Sequence, residues 1–172
     1  MGRIDASRVL VGGLLAGVVI NIGEYLLNQP ILGDEMEAMV ARMGLEYSSA
    51  ATATFIVLSF VMGIVAVWAY AAMRPRYGPG PATAVRAGLL AWFFTYVVQT
   101  VGWTMMGVFT AGTAALVLVW GLIELPLATV AGAWLYREPG EAPATAGVAA
   151  ADRSPTAASS PRPSPEPRAP AG

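Results

Sequence analysis

Trp120-Gly121-Leu122-Ile123-Glu124-Leu125-Pro126 lies in the middle of an apolar run that extends from Ala114 to Tyr136. The run is long enough to cross the roughly 30 Å hydrocarbon core of a bilayer as a helix. A carboxylic acid and a proline near its centre must therefore be accommodated by other parts of the same chain, because lipid offers neither a partner. Working outward, three more runs of similar length precede this one. The spans expected are about 8–28, 51–73, 83–109 and 113–136.

Composition supports that class. Of 172 residues, 56% are hydrophobic and only 12% are charged, about half the charged share of an ordinary soluble domain. The mean hydropathy is +0.58. The expected fold is all-α: a polytopic transmembrane four-helix bundle over residues 1–137, followed by a disordered tail over 138–172. The tail is built of Pro, Ala, Ser and Gly with charges of both signs, and it has no apolar periodicity with which to offset its chain entropy.

The residues that are missing exclude much chemistry. The chain has no cysteine and no histidine, and all ten basic residues are arginine. Thiolate metal sites, zincin motifs, Ser-His triads and lysine Schiff bases are thereby excluded. The net charge of −1 gives no footprint for nucleic acid. No catalytic, metal-binding or cofactor-binding residue is expected, and the chain is read as not an enzyme.

Arginine placement orients the bundle. Arg3 and Arg8 flank the first span, Arg74, Arg76 and Arg86 lie between the second and third, and Arg137 follows the fourth. By the positive-inside rule both termini face the cytoplasm, in the inner membrane of the cell. Tyr25 and Tyr47 fall near the outer boundary, and Trp68, Tyr70, Tyr77, Trp134 and Tyr136 near the inner one, as an aromatic belt would. The first span is expected to leave the membrane at Pro30. The loop after it is acidic. Within it, Met36, Met39, Val40 and Met43 repeat at helical spacing, with Asp34 at the N-cap position and Gly44 at the stop. A short amphipathic helix over about 34–44 follows, lying on the membrane surface or packed on the bundle.

Each span carries a polar residue about 11 to 17 Å below the outer surface, counted at 1.5 Å per residue: Asn21, Ser59, Gln99 and Glu124. With Glu24 these form the candidate intramembrane polar site. Glu24 stands close enough to the end of its span to reach the headgroups, or it can turn inward toward Glu124. Trp103 and Trp120, each one turn from a polar residue, can line a cavity or pack on neighbours. Glu124 is expected to carry its proton and to hydrogen-bond Gln99 or Asn21. Pro126 is read as a helix break that frees the Leu122 carbonyl. Gly13 and Gly17 in span one, and Gly121 and Gly132 in span four, form small-residue stripes. Such stripes let membrane helices approach closely, so spans one and four are expected to be neighbours. Gly13-Leu14-Leu15-Ala16 recurs as Gly88-Leu89-Leu90-Ala91, a hint of two related hairpins.

Asn21-Ile22-Gly23-Glu24, the turn from Arg74 to Pro81, and Glu124-Leu125-Pro126-Leu127-Ala128 resemble segments of a group of small, uncharacterised bacterial four-span integral membrane proteins. The likeness covers about residues 8–137. It implies a membrane location and a bacterial source, and no activity.

Two functions from different classes follow. The first is a membrane protein whose polar layer binds a proton, a cation or a small polar solute, alone or as a homo-oligomer in the lipid bilayer. The second is a structural or regulatory subunit that packs against a larger membrane partner through its glycine-rich faces. An interhelical hydrogen bond that merely staples the bundle is the plain alternative for Glu124.

Overall fold

The computed structural model describes residues 4–46 and 48–136. Tyr47, Arg3, Arg137 and the 138–172 tail lie outside the described residues. Among the described residues every regular element is a helix. Helix α1 (Ala6–Leu26) runs into a wider π turn (Leu27–Ile31), and α2 (Gly33–Arg42) follows. Helix α3 is Ser49–Tyr77. Helix α4 (Pro81–Trp92) continues through a second π turn (Phe93–Val97) into α5 (Val98–Met105), and α6 is Ala111–Leu135. Four segments are long and apolar enough to cross a membrane: Ala6–Ile31, Ser49–Tyr77, Pro81–Met105 and Ala111–Leu135.

The ends of these helices follow from local chemistry. Asp5 caps α1, its Oδ1 accepting from the Ser7 and Arg8 amides at 3.1 and 3.3 Å. The Ser7 hydroxyl, then the Arg8 amide, hold the Asp5 carboxyl below its ordinary range. Ser48 and Thr110 cap α3 and α6 in the same way. Three expected endings are corrected. The first span passes through Pro30 to Ile31, because the π turn leaves room for a residue without an amide hydrogen. Helix α3 passes through Pro75 and stops at Gly78, whose φ of 80° a side chain would oppose. Helix α6 is unbroken at Pro126, so that residue is not a helix break. The proline is packed against α4, where a Cβ built on Gly88 would lie 2.6 Å from Pro126 Cα.

Glycine decides the packing. The Gly13 and Gly17 step does not face α6 as expected. It faces α3, where Cβ atoms on these residues would collide with Ile64 and Phe60. Gly63 of α3 answers it, a Cβ there lying 2.5 Å from the Gly13 carbonyl oxygen. Contact between α1 and α6 does form, one residue round the helix: a Cβ on Gly12 would stand 2.5 Å from the Gly132 carbonyl oxygen. Gly13 and Gly88 thus each pack on their own hairpin partner, α3 and α6 respectively, as the repeated tetrapeptide suggests.

The core along these seams is built of small and medium side chains. Ala16, Ile20, Val67, Ala84, Ala87 and Leu125 are each fully buried. The outer surface is apolar: Phe55, Val57, Ile123 and Leu127 are all well exposed. At most a third of any span's most apolar stretch is buried within the chain. An apolar face this large is stable against lipid and not against water.

The two ends of the bundle differ. At one end, the Tyr136 hydroxyl accepts from the Asp5 amide at 3.4 Å, so the start of α1 and the end of α6 lie side by side. Tyr70 and Tyr136 are buried there and meet edge to face at 6.0 Å. They are therefore not members of an aromatic belt. Their rings flank the buried Arg74 guanidinium at 5.8 and 5.3 Å. Trp68, Tyr77 and Trp134 do remain exposed. At the opposite end α2 lies on the bundle. Met36 is buried against Leu27 and Leu32, beside Phe109 and Trp120. Glu35 accepts from the Thr113 hydroxyl at 2.6 Å. Asp34 is in the first turn and is not the cap, which is Leu32.

Adding a side chain at the α1–α3 seam should be more damaging than adding one outside it. Gly63→Val should destabilise the protein by about 1–3 kcal/mol or more, through overpacking. Gly102→Ala, which meets open space, should leave thermal unfolding in detergent unchanged. Equal melting temperatures for the two variants would contradict this packing.

Candidate functional site

Glu124 is 6% exposed, buried on the inner face of α6 beside Leu125. Two glycines make room for it. Gly23 of α1 lies against its carboxyl, so that a Cβ there would overlap Oε1. Gly121, one turn earlier on α6, lets the Tyr96 ring lie flat on the helix: a Cβ there would stand 2.5 Å from Tyr96 Cδ1. Tyr96 Oη then reaches Glu124 Oε2 at 2.6 Å. The same hydroxyl hydrogen-bonds Oε1 of Glu24, on α1. Asn28, one turn beyond Glu24, donates through Nδ2 to Glu24 Oε2 at 2.8 Å and to the Glu24 carbonyl at 2.9 Å.

The site is thus a ladder of polar groups from three helices: Glu124, Tyr96, Glu24 and Asn28. It begins deep in the bundle and climbs toward the end that carries α2. Glu24 turns inward and does not extend to the headgroups. Helix α3 contributes no group to the ladder.

The remaining expected members are elsewhere. Asn21 donates to the Gly17 carbonyl at 2.8 Å and reaches the Ile56 carbonyl at 3.4 Å. Ser59 is buried but satisfied by the Phe55 carbonyl at 3.0 Å. Gln99 is exposed on the outside of the bundle. There its amide, oriented to suit its neighbours, donates to the Thr95 carbonyl at 3.2 Å and accepts from Trp103 Nε1 at 3.1 Å. Neither Gln99 nor Asn21 is a partner of Glu124, and Trp103 lines no cavity around it. Trp120 packs in the smaller core with Leu27, Leu32 and Met36. Its indole N–H is within electrostatic reach of Glu124 but makes no hydrogen bond of good geometry, and Glu124 Oε1 makes none either.

The physical reason for the exchange of Gln99 for Tyr96 is the second π turn. A π turn inserts one extra residue, which rotates everything after it by about 100°. The buried face of span three runs through Ala84, Ala87 and Gly88, then Tyr96 and Thr100. An uninterrupted α-helix would have carried that face close to Gln99. Nothing in the apolar periodicity marks the inserted residue. Tyr96, like the other tyrosines, reads as an interfacial or core aromatic, so sequence reasoning missed it. Asn28 stands at the last position of the expected first span, where a polar residue reads as part of the exit from the membrane.

Among the described residues, no group of three or more His, Cys, Asp or Glu is placed to hold a metal ion. Two carboxyls joined by a phenol hydroxyl can store and pass a proton.

Tyr96→Phe deletes the shared hydroxyl and leaves both carboxyls short of a partner. It should lower stability by about 1–3 kcal/mol, measured by unfolding in detergent. Gly23→Ala should destabilise similarly by pushing the Glu124 carboxyl off the tyrosine. If Tyr96→Phe unfolds like the wild-type protein, the hydroxyl does not bridge the two acids.

Comparison with protein-family models, with curated proteins and with solved structures finds no match.

Proposed function

We propose that this chain is a non-enzymatic, multi-pass protein of a bacterial inner membrane whose core binds a proton between Glu24 and Glu124. One observation carries the reading: a single tyrosine hydroxyl lies in hydrogen-bond contact with two carboxyls. Two such contacts need two hydrogens, and a phenol has one. The second must belong to a carboxyl.

The partners assign it. Glu24 accepts from Asn28 and from the tyrosine hydroxyl, which suits a carboxylate. Glu124 is buried deeper, and burial of an unpaired charge is expensive in a membrane interior. Glu124 is therefore the acid that holds the proton, and it donates to the tyrosine oxygen.

A proton suits this geometry better than a cation or a larger solute, because the tyrosine hydroxyl already fills the place between the two acids. The rival reading, a subunit that docks through its glycine stripes, is weakened by where those stripes lie. Gly12, Gly13, Gly17, Gly63, Gly121 and Gly132 all face other parts of the same chain. Orientation is supported by charge: Arg74, Arg76 and Arg86 lie at the end with Asp5 and Tyr136, and Asp34, Glu35 and Glu37 at the other. The rule for positive residues places the termini in the cytoplasm.

Infrared spectroscopy distinguishes the carbonyl stretch of a protonated carboxylic acid from the stretches of a carboxylate. The wild-type protein should show the protonated band at neutral pH, Glu124→Gln should lose it, and Glu24→Gln should keep it. A wild-type spectrum without the band, or a band that survives Glu124→Gln, would sink the proposal.

A further inference from the structure

The proton site is open toward one end of the bundle and closed toward the other. On the closed side, the next buried residues along α6 after Glu124 are Leu125, Ala128 and Thr129, each at most 1% exposed. They pack beside Ala16 and Ile20 of α1 and Val67 of α3, all fully buried. Beyond them the α1 and α6 backbones approach at Gly12 and Gly132. Thr129, the one hydroxyl in that layer, is tied to the Leu125 carbonyl at 2.7 Å and is not directed at the site.

On the open side the polar groups follow one another without an apolar gap. From Glu124 the contacts lead to Tyr96, to Glu24 and to Asn28. Glu24 and Asn28 are both partly exposed. Asn28 begins the last turn of its span, in the π turn that ends at Ile31. The surroundings add no competing acid or base. On α3, Thr52, Thr54 and Ser59 are each bonded to backbone carbonyls one turn back on their own segment. Glu35 of α2 is bonded to Thr113. Arg74 and Arg86 lie toward the opposite end, with Asp5 and Tyr136.

We infer that Tyr96 relays the proton between Glu124 and Glu24, so that the site exchanges with water only at the end that carries α2. This rests on the reading that Glu124 holds a proton. The step balances without a charged tyrosine. The Glu124 O–H bond breaks as its proton passes to Tyr96 Oη, and the Tyr96 O–H bond breaks as that proton passes to Glu24 Oε1. Glu124 becomes the carboxylate, Glu24 the neutral acid, and Tyr96 is a neutral phenol before and after. Glu24 then releases its proton to water near Asn28. In the proposed orientation that water is extracytoplasmic, and the site in this conformation responds to pH on that side.

The test is the rate at which the protonated-carboxyl band shifts when the purified protein in detergent is moved into deuterated water. Tyr96→Phe should keep the band and slow the shift by about tenfold or more, a tenfold change in rate being about 1.4 kcal/mol in barrier. Glu24→Gln should slow it likewise. It does not depend on tolerance of the tyrosine change. Thr129→Val, on the closed side, should exchange at the wild-type rate. A merely structural defect would loosen the bundle and speed exchange, so slowing is specific to a relay. If the band is present and both variants shift as fast as wild type, the relay is overturned and the proton site stands. If Thr129→Val alone slows the shift, the site opens toward the end with Asp5 and Tyr136 and the inference is likewise overturned. If the wild-type protein shows no band, the proton site itself is wrong.

Discussion

Backbone meets backbone at Gly12, Gly63 and Gly132, and the rest of the molecule depends on those approaches. Lipid tails are as apolar as leucine, so burying apolar side chains between helices yields little in a membrane. Packing and hydrogen bonding have to hold the bundle instead. Small residues allow axes to come close enough for both. With α1 seated on α3 through Gly13 and Gly17, and on α6 through Gly12, the side chains one and two turns further along are brought within reach of each other. Glu24, Tyr96 and Glu124 meet because the glycines below them do not hold the helices apart.

The polar ladder in turn explains features that look like defects in isolation. Gly23 and Gly121 weaken their helices as isolated segments, yet each vacates the volume that a carboxyl or an aromatic ring occupies. The π turn at Phe93–Val97 sacrifices regular hydrogen bonding and rotates Tyr96 into the core. The π turn at Leu27–Ile31 absorbs Pro30 and places Asn28 above Glu24, toward the end that carries α2. Departures from ideal helix are concentrated around one site, as is common where π turns serve a function. Away from it, the opposite end is closed by a different device, an arginine held between two tyrosine rings.

Much of this was legible in the chain. Four apolar runs separated by proline- and glycine-rich turns define a four-span bundle, because length and polarity are local properties. Glu124 and Glu24 stand out for the same reason, as acids inside apolar segments. Proximity of spans one and four is legible from their small residues, although Gly12 makes the contact and Gly13 serves α3.

What remained hidden depends on rotation about a helix axis. A single inserted residue exchanges Gln99 for Tyr96 at the site, and no local pattern records it. Whether Glu24 points to water or to another acid is decided by the partner helix opposite, as is the continuity of α6 through Pro126. The sequence by itself determined which segments cross the membrane and which acids they carry into it. Only the tertiary structure decided that two of those acids share one hydroxyl, because the phase of each helix is set by close packing against its neighbours.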